Sequence, residues 1–189
     1  TGRWSSVDLV KAYMARIGEV NRAGPKLNAV TEVATTALQQ ARAADAARKA
    51  GKAKGILHGI PLIVKDNIAT DVKLGMNTTA GSYSLIGSVP PRNSFVAQNL
   101  LDAGAIIMGK ASMSVWAYYR GTNLTEGWSP RAGFVTSAWY PGASACSSSA
   151  GSGVIASIGL AAGTLGSETG ESMRGGASLS FHMADQYYL

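Results

Sequence analysis

An α/β fold is the class this sequence predicts, with strands and helices alternating around one core. Three observations carry the prediction. Apolar residues recur at helical spacing between Val7 and Val20. A largely apolar run, Ile60 to Val64, has the length and composition of a buried strand. A helix-like segment, Ser94 to Ala103, then leads through Gly104 into the short apolar run Ala105 to Met108.

The elements follow in order. Ser5-x-x-Asp8 has the form of a capping box at the first helix start. Val7, Val10, Tyr13, Met14, Ile17 and Val20 form its apolar stripe, and Gly24-Pro25 stops it. Leu27 to Val33 reads as a short extended segment. Thr35 to Ala50 is Ala-rich with Gln and Arg, a composition that favours helix, and Gly51 ends it. Ile56 to Ile68 is expected to hold a buried strand, with Pro61 near its start. Ser112 to Tyr119 is a further helix candidate. Gly121 to Ala145 is rich in turn residues and reads as a long irregular connection, a type often used for function. Val154 to Ala162 is apolar and small, too short to span a bilayer.

Composition excludes several classes. The chain has 189 residues, 46% of them hydrophobic and 15% charged, which does not suit a disordered chain. One cysteine and two histidines exclude an internal disulfide framework and a cysteine-rich zinc site. The formal charge is +6, and residues 1–65 carry eleven basic against four acidic residues. The cluster Arg48, Lys49, Lys52 and Lys54 suits a solvated helix end, and with no interleaved aromatics no nucleic-acid partner is expected. Thr1-Gly2-Arg3-Trp4 leads into an amphipathic pattern instead of an apolar leader. The free thiol suits a reducing compartment, so a cytoplasmic setting is the expectation, while a cropped start would leave secretion open.

Several motifs point to chemistry, and two fail on inspection. Gly104 to Ala111 nearly matches a phosphate-binding loop, but Ala111 lacks the hydroxyl that would meet magnesium. Lys110 is then expected to be an ordinary strand-end lysine. His58 and His182 accompany no nucleophile elbow, and Cys146 has no base beside it in sequence. Lys65, directly after the apolar run, either snorkels to the surface or sits desolvated as a general base. Cys146-Ser147-Ser148-Ser149-Ala150-Gly151-Ser152-Gly153 places consecutive hydroxyls on a small-residue turn. Gly166-Ser167-Glu168-Thr169-Gly170-Glu171-Ser172-Met173-Arg174 offers a second serine turn. Two serine turns and a strand-end lysine suggest a nucleophile, a relay hydroxyl and a base without histidine.

These stretches, with Gly59 to Asn67, resemble the amidase signature family. Thr78-Thr79-Ala80-Gly81-Ser82, Gly109 to Ser114 and Gly121 to Arg131 resemble its fungal-type branch, which includes proteins like the A-type subunit of glutamyl-tRNA amidotransferase. The resemblance runs from about Trp4 to Phe181. It implies a mixed central sheet flanked by helices and hydrolysis of a carbon–nitrogen amide bond in a small-molecule substrate. It also implies a Ser-cisSer-Lys triad: Lys65 as base, Ser148 as the serine after a cis peptide, Ser172 as nucleophile. Backbone N–H groups of Thr169, Gly170, Glu171 and Ser172 would form the oxyanion hole, with Ser149 as a supporting hydroxyl. The resemblance implies neither a metal nor an organic cofactor.

Three residues depart from the family pattern. Ser147 and Glu171 stand where glycine usually precedes the relay serine and the nucleophile, and Gly176 replaces a proline. A carboxylate at 171 would oppose a developing oxyanion. The pattern stops near Phe181, so residues 1–181 read as a partial amidase signature domain and 182–189 as a divergent tail. A domain lacking its C-terminal half is expected to leave sheet edges and apolar faces uncovered. The alternatives are a catalytically inactive fragment and a glutamyl-tRNA amidotransferase protein of the A-type.

Overall fold

The computed structural model of the chain describes residues 3–119 and 123–175. The first helix, α1 (Ser6–Val20), starts at the capping box. Ser5 Oγ accepts from the Asp8 N–H at 3.0 Å, and Asp8 Oδ2 accepts from the Ser5 N–H at 3.0 Å. Asp45 of α2 (Ala37–Lys49) accepts from the Ser6 and Val7 N–H groups at 2.8 and 3.1 Å. Four donors at the start of α1 are thus satisfied by carboxylate or hydroxyl oxygens. Asn21 closes α1 and turns its side-chain amide on Val30, giving and taking one hydrogen bond at 2.8 Å each. This places β1 (Val30–Val33) beside the end of α1.

β2 (Pro61–Lys65) and β3 (Ile106–Ala111) are buried at every residue. With β6 (Gly163–Leu165) they form a four-stranded mixed sheet in the order β1-β3-β2-β6. β1 runs antiparallel to β3, whereas β2 is parallel to both β3 and β6. Between β2 and β3, α3 (Phe95–Asp102) returns the chain, its start capped by Ser94 Oγ. The small hairpin strands β4 (Trp128–Ser129) and β5 (Gly133–Phe134) lie within the connection expected to be irregular. The core joins Val10 and Ile17 of α1, Ile63 and Val64 of β2, Ile106 and Ile107 of β3, and Val154 and Ile155 of α4 (Ala150–Ser157).

Several expectations give way to tertiary contacts. The helix expected over 112–119 is only a 3-10 turn, Val115–Ala117, with Trp116, Ala117 and Tyr118 at φ of 52°, 57° and 68°. The reason lies in its backbone groups. The Trp116 N–H and the Ser112 carbonyl, which would make the first helical bond, go instead to the Ala80 carbonyl and the Gly151 N–H. Of the apolar run at 56–68 only Pro61 to Lys65 is strand, and Ile56 is 97% exposed. The last strand, β6, carries too few residues to show a period. Helix α4 begins at Ala150, four residues before its apolar run.

That early start depends on Gly151. A methyl there would stand 2.4 Å from the carbonyl oxygens of both Ala29 and Ser112. Both obstacles are backbone, so the contact has no side chain to yield. Gly151→Ala is expected to lower stability by about 2–3 kcal/mol, read from the urea midpoint. An unchanged midpoint would show that α4 shifts freely.

Candidate active site

Lys65 ends β2 and has no exposed surface. Burial drives its ammonium pKa down to about 7, against the opposing pull of the Glu168 carboxylate. Nζ lies 2.8 Å from Ser148 Oγ and donates to the Ser167 carbonyl at 3.0 Å. Of the two sequence readings, snorkelling is therefore set aside, and the lysine is desolvated. Strand pairing explains the encounter. β6 runs parallel to β2, with Val64 opposite Leu165, so Gly166 and Ser167 emerge beside Lys65.

The two serine runs meet over this lysine. Ser148 and Ser149 are buried at the start of α4. Ser149 Oγ donates to the Ser167 carbonyl at 3.1 Å, the same carbonyl that Lys65 uses. The Ser172 carbonyl accepts from Ser147 Oγ at 2.8 Å and from the Ser149 N–H at 3.0 Å. Among the described residues, the Ser172 hydroxyl has no hydrogen-bond partner, and the N–H groups of Thr169, Gly170, Glu171 and Ser172 donate to no acceptor. The structure thus brings Lys65, Ser148, Ser149 and the Ser172 backbone together. It does not join the Ser148 and Ser172 hydroxyls, because the carbonyl of Ser172, not its hydroxyl, bonds the 147–149 turn.

One expectation is corrected at the turn. The Ser147–Ser148 peptide is trans, as is every peptide among the described residues. The reversal is made instead by two consecutive left-handed residues, Cys146 at φ 53° and Ser147 at φ 63°. Glycine holds such angles at least cost, and serine is strained there. Ser147 offsets this with its side chain, which donates to the Ser172 carbonyl and accepts from the Ser149 N–H at 3.2 Å. Glu171 is exposed beside Ser172. Gly176, Phe181, His182 and the 182–189 tail lie outside the described residues.

Sequence reasoning misses Glu168, although it lies inside the second serine run. Its side chain is 1% exposed and pairs with Arg174 at 2.9 Å. Burial pushes its carboxyl pKa up, but the Arg174 and Met173 N–H groups and the Arg174 guanidinium pull it further down. It therefore remains an anion and caps the turn that follows Ser172. The available signal is an acid flanked by small residues and followed by an arginine six positions on.

Lys110 is a correction of a different kind. It sits inside β3, not at a strand surface, and has no exposed surface. The segment carrying Ile68 and Thr78 covers the face onto which Lys110 projects, so its ammonium does not reach solvent. Val64 is its partner across the strands, and Lys65 pairs with Ala111. The pleat therefore sends the two lysines to opposite faces of the sheet. Lys110 donates to Thr78 Oγ1 at 2.9 Å and to the Ile68 carbonyl. Burial lowers its pKa to about 8, with Asp66 and Glu32 opposing.

The other candidates take structural roles. His58 Nδ1 accepts from the Lys54 N–H at 3.2 Å, so Nε2 carries the proton given to the Ala44 carbonyl at 2.9 Å. The Cys146 thiol donates to Glu126 Oε2 at 2.7 Å. Burial and the neighbouring carboxylates of Glu126 and Glu171 push its pKa up, which makes it a poor nucleophile. Among the described residues no helix is long and apolar enough to cross a membrane.

Residues 8–181 match the sequence profile of the Amidase family. This chain is a member of the amidase signature family. A protein of Arthroderma benhamiae that carries an amidase name is 46% identical over 87% of this chain and 27% of its own length. The A-type subunit of the glutamyl-tRNA(Gln) amidotransferase from Chloroflexus aurantiacus is 37% identical over 94% of the chain and 34% of its own length. Among solved structures, the native peptide amidase of Stenotrophomonas maltophilia superposes with a TM-score of 0.88 at 39% identity. That match covers 93% of this chain and 35% of the peptide amidase. The chain thus spans about a third of the length of these amidase-family relatives. The mixed sheet with its flanking helices is shared with part of their fold.

Proposed function

We propose that this chain carries the acyl-transfer chemistry of an amidase, hydrolysing a carbon–nitrogen amide bond in a small molecule. One observation supports this above the rest. A buried lysine with a pKa of about 7 lies 2.8 Å from a serine hydroxyl, on a turn hydrogen-bonded to a second serine loop.

Each group has a role in the proposed sequence. Neutral Lys65 takes a proton from Ser148, and Ser148 takes one from Ser172. Ser172 Oγ then attacks the amide carbonyl carbon and forms a tetrahedral oxyanion. The N–H groups of Thr169, Gly170, Glu171 and Ser172, which lack acceptors among the described residues, would receive that charge. Collapse breaks the C–N bond, and the relay returns the proton to the leaving amine. Water then cleaves the acyl-Ser172 ester and releases the acid. For this to run, the Ser172 hydroxyl must rotate towards Ser148 when substrate binds, a tightening common to hydrolytic sites. Residues 1–181 act here as part of a larger domain, with 182–189 a divergent tail.

A second reading is an inactive fragment. It is favoured by the Glu171 carboxylate beside Ser172 and by a Ser172 hydroxyl without a partner among the described residues. A serine-reactive fluorophosphonate probe separates the two. The amidase reading expects labelling of Ser172, with a rate that rises with pH and levels off above about 7. The sign follows from Lys65, which is an ammonium below that value and cannot accept a proton. Well below it, the rate should fall about tenfold per pH unit. No label at Ser172, or a rate flat through neutrality, would favour the inactive reading.

A further inference from the structure

Ser114 stands outside the groups assigned above, yet it touches the relay serine on both sides. It is 1% exposed and lies three residues beyond β3. Its Oγ accepts from the Gly127 N–H at 2.8 Å and lies 3.1 Å from the Ser147 carbonyl oxygen. An amide N–H can only donate, so the Ser114 proton goes to Ser147. The Ser114 N–H donates in turn to the Ser148 carbonyl at 3.3 Å.

These two carbonyls belong to the peptides that enter and leave Ser148. Holding both planes sets the two soft backbone angles of Ser148, and with them the direction of its Cβ and hydroxyl. The hold matters because Cys146 and Ser147 just before it are left-handed and strained, a turn that persists only where its surroundings enforce it. The anchor shares its frame with the base. Ser114 extends from β3, and β3 pairs with β2 so that Ala111 lies opposite Lys65. Relay serine and lysine are therefore referenced to the same pair of strands.

We propose that Ser114 is the positioning residue that holds Ser148 against Lys65. The proposal rests on the amidase reading, so its test needs a readout that does not require turnover. The lysine Cε resonance of Lys65 in 13C-lysine-labelled protein supplies one. Ser148→Ala removes the acceptor of the ammonium form, so the Lys65 midpoint should fall by about one pH unit. Ser114→Ala should reproduce roughly half or more of that fall, and Ser114→Thr, which keeps the hydroxyl, should restore the wild-type midpoint. If Ser114→Ala does not fold, Ser114→Cys, of similar volume with a weaker donor, carries the comparison and should shift in the same direction.

Where the chain turns over an amide, Ser114→Ala should lower kcat about tenfold to a hundredfold with KM nearly unchanged. A wild-type midpoint in Ser114→Ala (or in Ser114→Cys where that variant stands in for it) beside a shifted Ser148→Ala would overturn the proposal. No shift in Ser148→Ala would overturn both this proposal and the base–relay contact. Absence of probe labelling at Ser172 would count only against the amidase reading, since the Lys65 midpoint still decides the role of Ser114.

Discussion

Ser172→Ala is expected to lower amine release from a simple amide by roughly a thousandfold or more, and Lys65→Met by a similar factor. In the proposed mechanism Ser172 supplies the attacking oxygen, next to N–H groups of 169–172 that have no acceptor among the described residues. In the same proposal Lys65 supplies the proton sink. Methionine is the informative replacement there because Lys65 has no exposed surface, and the thioether keeps its apolar stem in place. The two losses should not add. Groups that act as one relay fail together, so the double variant should be about as slow as either single one. Circular dichroism of the variants separates lost chemistry from lost fold. A Ser172→Ala chain that releases amine at the wild-type rate would remove Ser172 from the reaction.

The second large effect concerns stability. Asp66→Ala is expected to cost about 3–5 kcal/mol, measured by urea unfolding. The Asp66 carboxylate is fully buried and accepts from the Thr79 N–H at 3.2 Å, from the Thr79 hydroxyl and from the Gly81 N–H at 2.9 Å. It is also the main opposing charge for buried Lys110. Removing it strands three donors and leaves an ammonium buried beside fewer anions. Adding Lys110→Met to Asp66→Ala should recover part of the loss, since the unpaired charge is then gone. Full additivity of the two substitutions would show that Asp66 and Lys110 do not interact.

This buried pair shows where sequence reading stops. Lys65 and Lys110 look alike along the chain, each following an apolar run. Lys65 reads as a strand-end residue with two fates open, and the serine turns argue for one of them. Lys110 has no such neighbours in sequence, and its burial follows from the segment carrying Ile68 and Thr78 folding over its face of the sheet. The helix expected over 112–119 fails for a related reason. Its local composition permits helix, but Ala80 and Gly151, far along the chain, take the Trp116 N–H and the Ser112 carbonyl that would open it. Ser114 and Glu168 escape a reading by residue type because their roles reside in their partners.

The features that do carry through are those built within a few residues. The capping box at Ser5 and Asp8 spans three positions, so its two hydrogen bonds need no tertiary partner. The apolar run into Lys65 and the two small-residue serine turns are likewise visible as composition, as is the family resemblance they carry. The meeting of those turns is not. The Lys65–Ser148 bond joins residues 83 positions apart, and the Ser147–Ser172 bond joins residues 25 apart. No periodicity encodes such pairs. They are set by β2 and β6 running parallel in one sheet, which brings both serine loops out over the buried end of the same strand.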